Sequence, residues 1–180
     1  YDRTRVRRLL DLSEQKDMVK MVYRAVNEND LSAFLALLHP EVELTTSGVF
    51  PDLSPTYRGH RGAVDYWKAV GPGPRGLWDA FTIELGQCEP IGDQVVASVH
   101  QRVEGRDGVV VEHDWGHLYS FADGLISRAR AFVSPEAAKE ALIRQLELRV
   151  SINDRIVRIV HFEELSLLAV IVVLMVFKPF

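Results

Sequence analysis

A chain of 180 residues, 47% apolar and 26% charged, is long enough for one domain with a real core plus extensions. Its net charge of -4 supplies no global field for nucleic acid. A single cysteine, Cys88, excludes an intrachain disulfide and fits a reducing, cytoplasmic setting. The absence of a Gly-rich phosphate loop, a Gly-x-Ser-x-Gly elbow and a Cys-x-x-Cys pair leaves nucleotide binding, serine hydrolysis and iron–sulfur chemistry without support.

Residues 1–12 read as an N-terminal extension with a basic run at Arg3, Arg5, Arg7 and Arg8; no apolar stretch follows, so no secretory leader is expected. The domain is expected over 13–144, and 145–180 reads as a C-terminal extension. Ser13 can cap a first helix, in which Met18, Val19, Val22, Tyr23 and Val26 recur at spacings of three and four. Asp30 can cap a second helix, Leu31 to Leu38, ended by Pro40. Val42, Leu44 and Thr46 alternate with Glu41, Glu43 and Thr45, the pattern of a half-buried strand.

Ser47 to Arg58 contains Gly48, Pro51 and Pro55 and reads as an irregular loop. Gly59 and Gly62 open a third helix with a stripe of Val64, Trp67 and Val70. Strands are expected at Phe81–Glu89, Gln94–Glu104, Val109–Ala122 and Leu125–Val133, joined by turns at Gly92-Asp93, Asp107-Gly108 and Asp123-Gly124. Cys88 falls in the first of these and reads as a buried structural thiol rather than a nucleophile. Ser134 caps a last helix with Pro135 in its first position.

The tail segment Leu165–Phe177 is apolar but for Ser166, yet shorter than the roughly 20 residues a spanning helix needs. Packing on the domain or a partner chain, a short membrane contact, and a non-native end compete as readings.

On the Val109–Ala122 strand, the odd positions carry His113, Trp115, His117, Tyr119 and Phe121. That bulky set is assigned to the concave, pocket-facing side. His113 and His117 are four residues apart, roughly 13 Å along a strand, so the pair cannot share one metal, and no metal site is expected. His117 is either a satisfied core histidine or a ligand-contacting acid or base. Trp115 and Tyr119 beside it would form a flat apolar wall with one polar handle. His113 is the weaker ligand candidate, nearer a rim. Tyr57 and Trp67 read as core or pocket-wall aromatics.

Leu38-His39-Pro40-Glu41-Val42-Glu43, Tyr57-Arg58-Gly59-His60-Arg61-Gly62 and Tyr119-Ser120-Phe121-Ala122-Asp123-Gly124, set in this order of helices and strands, resemble the SnoaL-like branch of the nuclear-transport-factor-two superfamily. The resemblance covers about residues 13–144. It implies an α+β fold in which a curved mixed/antiparallel sheet wraps around three N-terminal helices, forming a cone with one pocket (a cystatin-like α+β barrel). It implies a small, partly apolar molecule as ligand, no cofactor, and a homodimer through the outer face of the sheet, where Val96, Val110 and Leu118 offer an apolar patch.

The resemblance also places Asp52 on a loop at the pocket mouth, where it could act as a base opposite a histidine. The ketosteroid isomerase branch places an aspartate near the position of Leu44, a tyrosine near Val22, with Tyr23 one residue off and so turned about 100° away, and an acid donor near His117. Acid/base chemistry of cyclase, isomerase, dehydratase or hydrolase type on a small carbonyl compound is one expectation. A non-catalytic ligand-binding or dimerisation module of the same fold is the other.

Overall fold

A computed structural model describes residues 3–46, 54–71, 78–105 and 108–150, with the backbone alone for 3–11 and 78. The chain divides into two units, Tyr1–Glu140 and Ala141–Phe180. Of the second, the described residues 141–150 are helical. The apolar tail segment lies outside the described residues. Among those described, no helix is long and apolar enough to cross a membrane.

The first unit is α+β. Helix α1 spans Arg3–Asn27, α2 Leu31–Ala36 and α3 Gly59–Val70. Six strands follow one another as β1 Leu38–Thr45, β2 Thr56–Arg58, β3 Trp78–Ile91, β4 Gln94–Gly105, β5 Val110–Ala122 and β6 Leu125–Phe132. They form one curved, unclosed sheet in the order β2-β1-β6-β5-β4-β3. Only β1 and β6 run parallel, so the sheet is mixed.

Helix α1 starts ten residues before the expected cap at Ser13. Residues 3–12 hold no glycine or proline, and Arg and Leu propagate a helix well, so nothing local stops it there. Its apolar stripe buries Val19, Val22, Tyr23 and Ala25. Asn29, at φ 53°, takes the left-handed conformation that Asn tolerates, and Asp30 then caps α2 by accepting from the Ala33 amide at 2.9 Å.

Helix α2 is shorter than expected because the sheet takes its end: the Ile126 amide donates to the Leu37 carbonyl, and Leu38 pairs with Ile126. Pro40 therefore lies inside β1 rather than behind a helix. It sits where the β1–β6 register shifts between Leu38 and Glu43, a place that does not need its missing N–H.

The segment before α3 was expected to be wholly irregular, yet Thr56–Arg58 pair with β1 as β2. Gly59 turns this strand into the helix at φ +63°, and a Cβ there would stand 3.2 Å from the Pro40 carbonyl oxygen. At the opposite edge, Asn27 mimics a neighbouring strand. Its Nδ2 donates to the Ile83 carbonyl at 2.7 Å and its Oδ1 accepts from the Ile83 amide at 2.8 Å, which satisfies part of the open edge of β3.

The core lies between the helices and the concave face. Val19, Phe34, Val42, Leu44, Trp67, Val95, Val99 and Ile126 are among its buried members. On the outer face, Gly116 lies under the turn that starts the last helix: a Cβ there would meet the Ser134 carbonyl and Ala138. Ser134 caps that helix by accepting from the Ala137 amide at 3.2 Å. The outer patch expected to form a dimer face is mostly not free. Val96 and Leu118, paired across β4 and β5, are 2% and 1% exposed, and only Val110 remains open.

Candidate functional site

Strict alternation along β5 sends Trp115, His117 and Tyr119 into the cone and Gly116, Leu118 and Ser120 outward. The register shift in the pairing with β6 comes only after Ser120, so it does not invert this parity. The cone is a largely apolar cavity of about 100 Å³. Its wall includes Phe34, Leu44 and Trp67 beside the three β5 aromatics. Among its described lining residues there is no Asp, Glu or Lys. Arg130 borders it, but by register opposes the outward-facing Leu118, and its guanidinium lies 5.6 Å from the Phe132 ring.

The polar centre of the cone is a chain of three side chains from two elements. Tyr23 on α1 places its hydroxyl 2.6 Å from His117 Nδ1 and 2.7 Å from the Tyr119 hydroxyl. The Tyr23 and His117 rings are nearly parallel, with centroids 5.9 Å apart, and Tyr119 meets both edge-on. Burial among apolar neighbours pushes the His117 imidazole down to about 4, so it is neutral at pH 7. Burial likewise raises both tyrosines, so both hydroxyls keep their protons.

Two proton arrangements satisfy this chain. In one, Tyr119 donates to Tyr23 and Tyr23 donates to His117 Nδ1, which leaves an N–H at Nε2. In the other, Nδ1–H donates to Tyr23 and Nε2 carries a lone pair. Either way Nδ1 is engaged, and Nε2 is the nitrogen left for a ligand.

The other expected site residues divide. Trp115 donates from Nε1 to Gln101 Oε1 at 2.6 Å, which fixes its ring on the wall. Trp67 is buried on α3 with its ring 5.0 Å from Phe34, and it lines the cone. Tyr57 on β2 does not reach the lining; it packs edge-on against Tyr66 at 5.5 Å. His113 has the parity of His117 but lies further toward the strand's start. It is exposed, its Nε2 donates to the Val133 carbonyl at 2.9 Å, and its ring lies 4.0 Å from Trp115, outside the cone lining. Asp52 lies outside the described residues.

Cys88 is half-buried in β3, and burial raises its thiol, as befits a structural cysteine. Among the described residues, no cluster of three His, Cys, Asp or Glu side chains could hold a metal.

Two functional candidates escaped the sequence reading. Tyr23 faces the cone rather than turning away from it, so the position one residue off the isomerase pattern is the one that carries the hydroxyl. Its place in the stripe with Val19 and Val26 was the available signal. Tyr66 on α3 also lines the cavity. The expected stripe of Val64, Trp67 and Val70 did not include it.

The SnoaL-like domain profile matches residues 19–129, which contain the whole constellation. No curated protein matches the chain by sequence. Among solved structures, TerC co-crystallised with polyporic acid is 22% identical, with 71% of this chain covering 96% of that one at a TM-score of 0.59. A Mycobacterium tuberculosis protein in complex with estradiol-17β-hemisuccinate is 18% identical, with 69% covering 96% at 0.56. A Δ5-3-ketosteroid isomerase from Mycobacterium sp. is 17% identical, with 69% covering 95% at 0.54. At these identities the likeness is one of fold.

Proposed function

The chain belongs to the SnoaL-like domain family, and from that premise we propose that its cone binds a small, partly apolar carbonyl compound and labilises a proton α to the carbonyl. The observation that carries this reading is the Tyr119–Tyr23–His117 chain set in an apolar wall. A neutral imidazole with a pKa of about 4 is a weak base at pH 7 but a good hydrogen-bond donor that stays uncharged. In the arrangement with Tyr23 donating to Nδ1, His117 Nε2–H would donate to the substrate carbonyl oxygen. As the α C–H bond breaks, negative charge moves onto that oxygen, where a preorganised donor in low dielectric acts most strongly.

The proton needs an acceptor, and the described lining holds no carboxylate. We assign that role to Asp52. Its carboxylate takes the α-proton and returns it to the same or a conjugated carbon, while Trp115, Tyr119 and Trp67 hold the apolar body of the substrate.

The second reading is a binding module without catalysis. Leu44, 3% exposed, occupies the place where the resemblance puts an isomerase aspartate, and this observation favours it. A homodimer through the outer face would use the exposed Val110 rather than the buried Val96 and Leu118.

The test is exchange of α-hydrogens for deuterium in a panel of small cyclic ketones, followed by proton NMR. Wild-type protein should accelerate exchange for at least one ketone. His117→Gln and Asp52→Asn should each lower that rate by about 10²-fold. Saturable binding with no acceleration would establish the module instead.

A further inference from the structure

Tyr66 is a polar group of the cone that the proposed chemistry does not use. It projects from α3, half-buried, and lines the same cavity as His117. Its ring is held edge-on by Tyr57, with centroids 5.5 Å apart. Unlike Tyr23 and Tyr119, it shows no hydrogen bond to a described residue. Its own hydroxyl is pushed up to about 12, chiefly by burial, and keeps its proton. The cone thus holds a third neutral tyrosine hydroxyl, on a different wall from His117, while the remainder of its lining is mostly apolar.

A ligand filling the cone would take water from the half-buried Tyr66 hydroxyl, and a hydroxyl that gives up water without a partner costs free energy, so its natural complement is a ligand oxygen. The cavity, about 100 Å³, is of the scale of a single ring, given that an apolar cavity of roughly 150 Å³ takes up benzene. No charged group of the described lining faces inward to select an ion, by the register given for Arg130 above.

We propose that Tyr66 is a specificity-determining ligand contact, and that the cone selects a compact, uncharged one-ring compound with two oxygen functions: a carbonyl that accepts from His117 Nε2–H and a second oxygen that meets the Tyr66 hydroxyl. This deepens the preceding reading and rests on its placement of the carbonyl at His117; it does not depend on turnover.

The experiment compares cyclohexanone with 2-, 3- and 4-hydroxycyclohexanone, titrated into the full chain and read by ligand-observed NMR. At least one hydroxyketone should bind wild-type protein about 10-fold more tightly than cyclohexanone, the scale of one well-formed hydrogen bond. The favoured isomer reports the spacing between the two contacts. Tyr66→Phe retains the ring and its packing on Tyr57. It should abolish that advantage, bringing hydroxyketone and cyclohexanone to equal affinity, whereas His117→Gln should weaken both ligands.

If no hydroxyketone outbinds cyclohexanone, or if the advantage survives in Tyr66→Phe, the inference falls and the carbonyl pocket stands. If neither kind of ketone binds wild-type protein, both fall together.

Discussion

The two faces of β4 and β5 solve the problem of polar groups in opposite ways. Inside, Tyr23, His117 and Tyr119 are neutral, buried or half-buried, and joined to one another by short hydrogen bonds. Outside, the same strands set ionisable groups in solvated pairs: His100 with Asp114 at 2.8 Å and Arg102 with Glu112 at 3.3 Å, while Glu43 of β1 lies between Arg58 and Arg128. The histidines show the contrast most directly. His117 is pushed down by burial, and the exposed His100 is raised, first by its hydrogen bond to Asp114. Since successive residues face opposite sides, a one-residue difference in strand position separates a neutral binding surface from a charged one. Interior polarity here is directional, and exterior polarity serves hydration.

That contrast is most easily broken with acid. Unfolded His117 would titrate near 6.5 and the folded ring near 4, so between those values the unfolded chain binds more protons. Stability should fall as pH drops from 6.5 toward 4, by up to about 3 kcal/mol from this residue alone. His100 works with the opposite sign: its contribution is present below 6.5 and is lost as pH rises through its raised folded value. Urea denaturation at a series of pH values should show the acid-side loss in wild-type protein and a clearly shallower one in His117→Gln. Equal slopes for the two proteins would mean that the cone does not hold His117 neutral.

A smaller effect is expected from Tyr23→Phe. The ring and its packing survive, but His117 Nδ1 and the Tyr119 hydroxyl lose their shared partner in a buried setting. The cost should be about 1–3 kcal/mol by denaturation at pH 7. A neutral result would indicate that water replaces the hydroxyl, and that the three side chains do not act as one chain.

How much of this was legible in the sequence depends on the range of the forces involved. The hairpins announced themselves locally: Asp123-Gly124 takes positive φ at both residues, 52° and 75°, which is why that dipeptide reads as a turn. The parity of β5 was equally local, and it placed Trp115, His117 and Tyr119 on the concave side. Parity says nothing about depth, however, and His113 shares the face while lying beyond the cone's lining. Tyr23 was misjudged because linear alignment on a helix turns one residue of error into about 100°, and only packing of α1 against the sheet sets the true rotation. β2 was missed because three residues next to a proline have no periodicity to show; their pairing with Glu43, Leu44 and Thr45 is tertiary.

The smallest expected effect tests the outer face alone. Arg102 and Glu112 oppose each other across β4 and β5, and their side chains are 49% and 54% exposed. In water such a pair gains little Coulomb energy and gives up side-chain freedom to form, so its coupling should lie between about 0 and 1 kcal/mol and shrink with added salt. A double-mutant cycle with Arg102→Ala and Glu112→Ala, measured by urea denaturation at low and high salt, gives that coupling directly. The same variants should leave binding of a ketone in the cone unchanged, because Arg102 pairs with Glu112 on the face opposite Gln101 and Trp115. A coupling well above 1 kcal/mol, or a change in ketone affinity, would show that the two faces are not independent. The charge pairs outside would then help to set the geometry of the neutral hydrogen bonds inside.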